Sequence, residues 1–586
     1  MTSWDSVLDP TYFAGHVEDD TSAWQSVVIP VGADEQVVEE AVSSVSPETP
    51  TVYTFALDDL VGYLKTRGRP TDPCPWCVRL HTIGLADTPS KPSMGPTEVN
   101  DSNFNETAIK RSRAHWEAML DREEECLLRL ASLEAGSAVT TSTIHKHPAC
   151  QHQEVAVSNG GSRRARMRRG KLDYEFFDPK VGIIRSIEHV GPDYTTSWDD
   201  LDMSVSVCWI AHPAYHQYPD ATGRHEIASA GGRTRSASTL RAIMEGIERY
   251  AAFVQAPIER EGAAANMDCP LVPGDRFYHY APEQYDREGF PFDPYDPETV
   301  YNWVECRDLH TGDSRWIPED LVYLSPSRTR SSFLVDNTTN GCAAHFSRLA
   351  ARRNALLELV ERHALMRFWY DQEPRPHLRV DSLPADLRSQ LAPLGDTYDI
   401  HLIDVTVFDA LPCFEVVLTS PDAVPAAVVG GGAGTTRREA LSDAIEEALS
   451  LLISATTDGS RAAIADSSLS AADVSASEDH LKYYAHPDHL DNLSGILEPA
   501  SFLPFRDTSN STQPSTVREV LAERNISVFC RDITPGTLSS SYDLTVVRVL
   551  SPDLLPLTFG HGFERVTRES SKYEYDELPD VPHPFA

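Results

Sequence analysis

The sequence predicts a mixed α+β and α/β protein in two parts, a smaller α/β domain followed by a larger domain of mixed sheets with packed helices. Short β-rich runs alternate with long helical patterns along most of the chain. The hydrophobic fraction of 41% is typical of a globular protein and too high for a disordered one. The composition turns from acidic to basic shortly after residue 155. We therefore expect domains at 1–155 and 176–586, joined by a basic linker at 156–175.

The smaller domain is predicted from strand and helix patterns. β-rich runs at 26–31 and 51–55 predict strands, and the apolar spacing of 34–42 predicts a helix between them. Residues 107–133 form a long amphipathic stretch without proline or glycine, which predicts a second helix. Strands alternating with helices are typical of an α/β domain.

The larger domain combines β-rich runs with three strong helical patterns. Residues 204–211 predict a strand, and 428–438 pass from a β-rich run through a glycine-rich turn into a helix. A segment at 462–478, rich in serine, alanine and aspartate, predicts a mobile loop. The helical patterns cover residues 236–253, 348–369 and 437–454.

Charge and hydropathy exclude several classes of protein. The chain has 88 acidic and 51 basic side chains and a formal net charge of -37, so nucleic acid is not an expected partner. No apolar run approaches the ~18 residues of a membrane-spanning helix, and the first residues have neither a basic leader nor an apolar core. Cysteines are sparse, which disfavours a disulfide framework. We expect a cytoplasmic protein without a membrane partner.

The most informative pattern is a pair of matching acidic motifs inside predicted helices. Residues 245–249 and 358–362 both read Glu-x-x-Glu-Arg. A spacing of three places both carboxylates on one face of a helix, where like charges repel. Such an arrangement, found twice, favours a cation between the helices, and Mg²⁺ prefers oxygen ligands that it shares with phosphates. The alternative is that each glutamate only pairs with a basic side chain on a solvent-exposed face.

A glycine-rich segment precedes the third helical pattern, which carries Glu446 and Glu447. A glycine-rich turn at a helix N-terminus is typical of anion binding, because unpaired backbone N–H groups point outward there. The alternative is a tight turn without a ligand. The Gly-Lys-Ser/Thr ending of a P-loop is absent, so a nucleotide site here would depend on carboxylates and a metal ion.

Three segments together resemble the YcaO family of ATP-dependent enzymes that modify peptide backbones. They are residues 230–250, which begin Ala-Gly-Gly-Arg-Thr, residues 340–365, which begin Asn-Gly-Cys-Ala-Ala-His, and the glycine-rich approach to the third helix. The three in this order are more specific than any one of them, and the resemblance covers residues 176–586. It implies a YcaO-type fold of mixed sheets with packed helices.

The resemblance implies that glutamates of the three helices hold Mg²⁺ against the phosphates of ATP. The implied magnesium ligands are Glu245, Glu248, Glu358 and Glu361. The implied nucleotide-binding residues are these four with Arg233, Ser236, Arg241, Asn354, Arg362 and Glu447. The chain departs from the family where members often have Gly-Lys-Gly, because it has Ala-Gly-Gly at 230–232. Arg241, His345 and Ser450 replace a serine, a glycine and a glutamine that are frequent in the family.

The chain ends Pro582-His-Pro-Phe-Ala586 after further prolines, which favours an extended, polyproline-like segment. A frayed terminus is the alternative. Cyclodehydratases of the family end in a Pro-x-Pro-x-Pro tail that inserts into the active site, and this segment is similar to it, with alanine in place of the last proline. The resemblance therefore implies catalytic roles for Pro582, Pro584 and the carboxylate of Ala586.

A zinc site is a further expectation. Cys74 and Cys77 form a Cys-x-x-Cys motif that resembles half of a zinc tetrad in the ThiF-type domain fused to such cyclodehydratases. No second Cys-x-x-Cys follows, but Cys150 and His152 would complete a tetrahedral site, since zinc accepts cysteine or histidine. His147 is an alternative fourth ligand, and a pair of structural thiols is the alternative to any metal. On this resemblance, residues 1–155 are a truncated ThiF-type domain.

The expected function is ATP-dependent cyclodehydration of a ribosomally made precursor peptide, in which Cys, Ser or Thr residues become azolines, as in thiopeptide biosynthesis. A thioamide- or amidine-forming enzyme of the same family is one alternative, and a catalytically silent peptide-binding scaffold is another. The expected partners are a separate leader-binding ThiF-like protein, a downstream dehydrogenase and a second copy of the chain in a homodimer. The basic cluster at 163–171 is either a solvated linker or a docking site for an acidic peptide.

Overall fold

The structure of the chain is a computed structural model. It describes residues 25–29, 33, 35–45, 51–57, 60–66, 74–82, 127–132, 139–143, 182–190, 201, 203–211, 225–254, 259–324, 333–507, 516–535, 538, 544–569 and 571–585. The chain divides into two compact units, of which the first comprises Met1–Ser186, Trp209–Glu226 and Pro535–Asp543, and the second Ile187–Cys208, Ile227–Thr534 and Leu544–Ala586. None of the described helices is long and apolar enough to cross a membrane.

The first unit contains a mixed five-stranded sheet and two helices in its described part. Their bounds are β1 Gln25–Val28, α1 Glu35–Ser43, β2 Thr51–Leu57, β3 Leu60–Thr66, α2 Pro75–Thr82, β4 Leu127–Ser132 and β5 Val139–Thr143. The strands lie in the order β1-β2-β3-β4-β5, with β1 and β2 parallel and the later neighbours antiparallel. Phe55 and Trp76 belong to its buried core.

This sheet confirms the two strands and the intervening helix predicted near the N-terminus. The helix predicted at 107–133 is wrong over Leu127–Ser132, which form β4 between β3 and β5. Leu128 and Leu130 are both buried in the core, because the period of a strand puts residues two apart on one face. The rest of that prediction, at 107–126, and the basic linker at 156–175 lie outside the described residues.

From Ile184 onward the described strands form three sheets. The strands are β6 Ile184–Val190, β7 Ser204–Ala211, β8 His225–Gly232, β9 Arg260–Ala263, β10 Val300–Asp308, β11 Ser314–Pro318, β12 Cys342–His345, β13 Arg375–Leu378, β14 Asp399–Asp404, β15 Cys413–Thr419, β16 Ala427–Ala433, β17 Pro499–Leu503, β18 Phe529–Asp532 and β19 Thr545–Leu550. The orders are β6-β7-β8, then β11-β10-β18-β19-β12 with β9 also on β10, and β16-β15-β14-β13-β17. β12 and β16 are therefore edge strands.

The α-helices of this region differ widely in length. They are α3 Arg235–Phe253, α4 Pro282–Tyr285, α5 Arg348–Asp371, α6 Ala385–Leu391, α7 Arg437–Ala455, α8 Asp458–Ala465, α9 Ser477–Ala485, α10 Ser494–Leu497 and α11 Val517–Glu523. The three longest confirm the helices predicted at 236–253, 348–369 and 437–454, and β7 confirms the strand predicted at 204–211.

Each of the three long helices follows a strand after a short connection. Thr234 ends the link from β8 to α3, and its side chain accepts a hydrogen bond from the backbone N–H of Ala237. Thr436 does the same for the backbone N–H of Glu439 at the start of α7. Ser347 occupies the equivalent position before α5. Because a cap fixes where a helix starts, these connections also fix which side chains stand at a given depth along each helix.

The glycine run near residue 430 is part of β16 and does not form the predicted turn. A Cβ added to Gly430 would lie 2.3 Å from the backbone nitrogen of Ala448, and one added to Gly432 would lie 2.3 Å from the carbonyl oxygen of Ala440. Glycine therefore allows α7 to lie directly on the strand. The sequence signal for a flexible turn was a signal for close packing of helix on strand.

The five-stranded sheet of the second unit has a hydrophobic core on each face. Val417 and Val429 pack in one cluster with residues of α5, whereas Val416 and Val428 pack in another with residues of α7. Neighbouring residues of a strand point to opposite faces, so α5 and α7 cover the two sides of the same sheet.

The mobile loop predicted at 462–478 is wrong in part. Residues 458–465 form α8, and α9 begins at Ser477. Ile464 is buried in a small cluster with Ala455 and Ala485, which explains why this polar segment is folded onto its neighbours. Its alanines also favour a helix.

Candidate active site

The acidic motifs stand at the same depth in their helices. Glu245 and Glu248 are residues 11 and 14 of α3, and Glu358 and Glu361 are residues 11 and 14 of α5. Glu447 is residue 11 of α7. Three helices that start next to a strand therefore carry a carboxylate about 15 Å from their first residue. This regularity is the local reason why the side chains meet.

The carboxylates accept hydrogen bonds from the backbone at the edge strands. Glu248 Oε1 accepts from the N–H of Ala344 in β12 at 2.7 Å, and Glu358 Oε2 accepts from the N–H just before β12 at 3.1 Å. Glu447 Oε2 accepts from the N–H of Gly431 in β16 at 2.5 Å, and Glu361 accepts from a backbone N–H at the end of β16. Edge strands have N–H groups that no neighbouring strand pairs.

One of these donors requires glycine. Gly341, whose N–H binds Glu358, has a φ of +79°, and an added Cβ would lie 2.3 Å from the carbonyl oxygen of Val549. A side chain there would both strain the backbone and push β12 away from β19. The Asn-Gly-Cys segment singled out in the sequence thus contributes a fixed backbone donor.

The glutamate cluster carries more negative charge than the guanidinium group of Arg362 can neutralise. Burial raises the pKa of Glu358 and that of Glu447 to about 7, although Arg362 opposes the rise in both. Burial also raises the pKa of Glu248 well above its ordinary value, and the carboxylate of Glu358 raises it further. Burial opposes the charge of Arg362, yet Glu361 and Glu447 raise its pKa above the ordinary value. A cluster of this kind favours added cations.

Sequence reasoning missed Glu415. It lies in the middle of β15 with no exposed surface, and neither carboxyl oxygen has a hydrogen-bond partner among the described residues. Burial raises the pKa of Glu415 well above its ordinary value, and the nearby Glu447 and Glu361 raise it further while Arg362 lowers it. The available signal was a single glutamate inside the apolar run at 413–418.

The glutamates fit a hard cation that is shared with phosphates. Glu248, Glu358 and Glu447 each use one oxygen for a backbone N–H, and no protein group among the described residues is hydrogen-bonded to the other oxygen. No group of three or more His, Cys, Asp or Glu residues in the described part could hold a metal ion by itself. Mg²⁺ held by few carboxylates takes its remaining ligands from phosphates and water.

A family model described as YcaO cyclodehydratase, ATP- and Mg²⁺-binding, matches residues 229–555. The match covers more than half of the chain and includes all three helices. The chain belongs to the YcaO family. It is therefore an enzyme of that family, and its glutamate cluster lies inside the region that the ATP- and Mg²⁺-binding description covers.

Solved heterocyclases share the YcaO chain's fold at low sequence identity. A heterocyclase in complex with substrate and cofactor has a TM-score of 0.71 at 13% identity, with 96% of this chain and 81% of that chain covered. The heterocyclase TruD has a TM-score of 0.63 at 14% identity, with 99% and 82% covered. These similarities confirm the mixed architecture and do not test the expected ThiF-like character of the N-terminal part. No curated protein sequence matches the chain.

Four other residues predicted for the YcaO nucleotide site are exposed at or near the first turns of their helices. Arg233, Ser236 and Asn354 are exposed near the starts of their helices. Arg241 pairs with Glu446 and donates to the carbonyl oxygen of Gly231 at 3.1 Å. The alternative that a glutamate of the motif only pairs with a basic side chain holds for Glu245. Arg249 Nη2 donates to Glu245 Oε1 at 2.9 Å in the same helix.

The C-terminal segment of the YcaO chain is packed against α9. Pro582 to Phe585 are buried, and Phe585 belongs to the core that contains α5. Tyr484 Oη donates to the carbonyl oxygen of Pro582 at 2.5 Å, and His480 Nδ1 donates to that of His583 at 2.7 Å. The imidazole rings of His480 and His583 stack with centroids 4.1 Å apart.

The tail also lies close enough to Arg362 for the charge of this arginine to act on His583. Burial lowers the pKa of His583 well below its ordinary value, and the charges of His480 and Arg362 lower it further. The described tail, including Pro582 and Pro584, is therefore ordered beside the carboxylate cluster rather than frayed. Ala586, with its predicted carboxylate role, lies outside the described residues.

The structure describes two of the four predicted zinc ligands, the cysteines of the Cys-x-x-Cys motif. The sulfur atoms of Cys74 and Cys77 are 3.6 Å apart, and both residues are buried at the start of α2. Cys150, His152 and the alternative ligand His147 lie outside the described residues. The zinc site stays a prediction.

Proposed function

We propose that the chain is an ATP-dependent cyclodehydratase that converts Cys, Ser or Thr residues of a ribosomally made precursor peptide to azolines. One observation carries the proposal: glutamates from three helices meet at one level around Arg362, beside an ordered C-terminal segment. The family provides the reaction class, and the ring-forming reaction is favoured over thioamide or amidine formation by the resemblance of the buried tail to that of cyclodehydratases.

The proposed reaction has three steps. The sulfur or hydroxyl oxygen of the substrate side chain attacks the preceding backbone carbonyl carbon and loses its proton, which leaves an oxyanion. The oxyanion forms a bond to the γ-phosphorus of ATP as the bond to ADP breaks. The phosphorylated oxygen then leaves as phosphate while the amide nitrogen loses its proton and forms the C=N bond of the ring.

The chain's own residues would bind and orient the reactants. Glu245, Glu248, Glu358, Glu361 and Glu447 would hold Mg²⁺, which when bound neutralises phosphate charge. Arg362, kept charged by its carboxylate neighbours, would stabilise negative charge that develops on the transferred group. The buried segment at Pro582–Phe585 would exclude water and fix the peptide group, and the role of the Ala586 carboxylate rests on the resemblance alone.

The remaining partners and sites are proposed from the resemblance. A separate ThiF-like protein would capture the leader of the precursor peptide, a dehydrogenase would act on the product, and the enzyme would be a homodimer. Residues 1–155 would be a truncated ThiF-type domain, with zinc on Cys74, Cys77, Cys150 and His152. The basic residues at 163–171 carry charge suited to an acidic leader.

The decisive experiment replaces one carboxylate and preserves its shape. Glu358→Gln should lower peptide-dependent ATP hydrolysis by about 100-fold or more, because an amide is a poor ligand for Mg²⁺ and adds no negative charge. Glu373→Gln is the matched control, since that side chain is 71% exposed at the far end of α5. Full turnover by Glu358→Gln, with an unchanged circular dichroism spectrum, would remove the metal-site argument.

A further inference from the structure

A cavity is lined in part by Leu359 and Arg362 of α5 and by Arg548 and Leu550 of β19. Its volume is about 60 Å³, several times the ~10–15 Å³ that one water molecule needs. Its polar lining includes Arg362, Arg548 and Arg565, with the amides of Asn337 and Asn340. None of the described residues that line it is Asp or Glu, in a chain where acidic side chains outnumber basic ones by 88 to 51.

Two of these guanidinium groups have no carboxylate partner among the described residues. Arg548 is 4% exposed and donates to neutral acceptors, the carbonyl oxygen of Thr338 at 2.7 Å and Asn337 Oδ1 at 2.7 Å. Arg565 is 7% exposed, and none of its nitrogens donates to a described residue. Burial lowers the pKa of Arg565, although Tyr280 and Asp336 oppose this effect. A buried guanidinium costs free energy unless an anion or hydrogen-bond acceptor compensates it.

We propose that this arginine cavity is a binding site for a small tetrahedral oxyanion, with inorganic phosphate as its occupant. Three guanidinium groups present planar sets of donors, which match phosphate oxygens better than ammonium groups do. The cavity has room for a small ion, since its volume is several times the space that one water molecule needs. Arg362 belongs to both the cavity and the glutamate cluster, so an ion here would lie next to the proposed site of phosphoryl transfer.

The role of the bound ion rests on the proposed function, although the site itself does not. Cyclodehydration releases phosphate when the carbon–oxygen bond of the phosphorylated intermediate breaks. An arginine cavity beside the reaction centre would receive that phosphate and stabilise it as a leaving group. The ion would depart as a separate product after the azoline has formed.

The test is a ³¹P NMR titration of the full chain with inorganic phosphate, without Mg²⁺, ATP or peptide. We expect saturable binding to the wild type and a dissociation constant about 10-fold or more higher for Arg565→Met, since a hydrogen bond to a charged group is lost. Arg565→Lys keeps the charge and should bind with intermediate affinity. Arg524→Met is the control, because Arg524 is exposed at the end of α11 and should not affect binding.

The outcomes distinguish free inorganic phosphate from a phosphate group of the nucleotide as the ligand of the cavity. Saturable binding that depends on Arg565 and persists when ADP is added supports a separate phosphate site. Competition between ADP and phosphate would assign the cavity to a phosphate of the nucleotide and overturn the proposal, as would no binding or equal binding by Arg565→Met. Because no peptide or ATP is used, a failure of the chain to form azolines would not change this result.

Discussion

Glu415 shows how strongly one buried side chain can depend on pH. Its carboxyl group has no hydrogen-bond partner among the described residues, and the charges of Glu447, Glu361 and Arg362 all act on it. Burial and these neighbours raise the pKa of Glu415, so the folded protein keeps a proton that the unfolded chain loses near pH ~4.3. Stability from this residue is therefore present below that pH and is lost as pH rises toward the folded pKa.

We predict that Glu415→Gln is more stable than the wild type at pH 8 and differs little at pH 5, without Mg²⁺ or nucleotide. The difference in the free energy of unfolding should grow by up to about 1.4 kcal/mol per pH unit in this window. Urea unfolding at both pH values measures it, with Glu373→Gln as the exposed control. A constant difference at the two pH values would show that the carboxyl is ionised in the folded state.

The individual site residues were predictable in part from their spacing. The Glu-x-x-Glu-Arg repeat by itself identifies Glu245, Glu248, Glu358, Glu361 and Arg362. Glu415 could not be derived, because its relation to Arg362 depends on the pairing of β15 with β16 and on the position of α5. Asn354 was predicted with the others but is exposed one turn before Glu358, where it accepts a hydrogen bond from Arg353 Nη1 at 3.4 Å.

At the scale of elements, β16 and α7 pack closely because glycines of the strand leave room for the helix. We predict that Gly432→Ala lowers the free energy of unfolding by about 1–3 kcal/mol, because its Cβ would meet the carbonyl oxygen of Ala440 at 2.3 Å. It should also weaken binding of Mg²⁺ with nucleotide, since the donor to Glu447 lies in the same strand.

Gly459→Ala is the matched control for this substitution. Gly459 lies in α8, and a Cβ added there would meet nothing within 4 Å. Alanine is the better helix former, so this change should stabilise the chain by up to about 1 kcal/mol. Equal effects of the two substitutions in urea unfolding would contradict the close approach of α7 to β16.

The helix α9 positions the C-terminal segment. We predict that Tyr484→Phe, which removes the donor to the carbonyl oxygen of Pro582, slows azoline formation while the affinity for Mg²⁺ and nucleotide stays unchanged. The lost hydrogen bond should cost about 1 kcal/mol of unfolding free energy. Hydrogen exchange at the backbone amides of His583 and Phe585 should become faster, which can be measured without a substrate.

Tyr483→Phe is the neighbouring control. Its hydroxyl group accepts a hydrogen bond from Asn492, and no hydrogen bond joins it to the described part of the tail. The same exchange rates at the amides of His583 and Phe585 in both variants would show that Tyr484 does not hold the tail. Equal losses of nucleotide affinity and azoline formation in Tyr484→Phe would mean that the contact is only structural support.

Secondary structure was predicted correctly where local patterns and tertiary contacts agree. Two of the three long helices, α3 and α7, have side-chain caps, all three bury apolar residues, and their predicted bounds match within two residues. Prediction failed at β4, where leucines compatible with a helix pair as a strand, and at β16, where glycines needed for packing resemble a turn. In each case the deciding contact is a tertiary one, because β4 pairs with β3 and β16 packs against α7.

At the scale of the whole molecule, the raised pKa values in the carboxylate cluster predict that the binding of Mg²⁺ with nucleotide depends on pH. The pKa values of Glu358 and Glu447, raised to about 7 by burial, mean that both groups carry protons below that pH. Binding a cation requires the ionised forms. We predict that Mg²⁺ with a non-hydrolysable ATP analogue binds more tightly as pH rises from 6 to 8 and that binding releases protons.

Calorimetry in buffers of different ionisation enthalpy measures the number of protons released. Glu447→Gln removes one of the titrating groups and should reduce that number. An affinity that does not change between pH 6 and pH 8 would show that the carboxylates are already ionised in the free protein.

The sequence predicted the types of secondary structure but not the order of the strands within the sheets. Composition and motifs predicted a mixed α and β architecture and three site-bearing helices. The arrangement of β12 and β16 as sheet edges, and the meeting of Arg362, Arg548 and Arg565 at one cavity, depend on strand order across more than 200 residues. No local pattern encodes such an arrangement, since strand order follows from packing of the complete core.

The edge strands have a consequence for how mutagenesis of this site should be carried out. Glu248 and Glu447 accept hydrogen bonds from N–H groups at the outer sides of β12 and β16, and both strands are largely buried. Alanine at either position would leave a largely buried N–H group without its acceptor and lower the stability of the fold, so a loss of folded protein could be mistaken for a loss of catalysis. Glutamine retains an oxygen that can accept the same hydrogen bond. The same acidic side chains therefore satisfy backbone donors of the sheets as well as forming the proposed catalytic site.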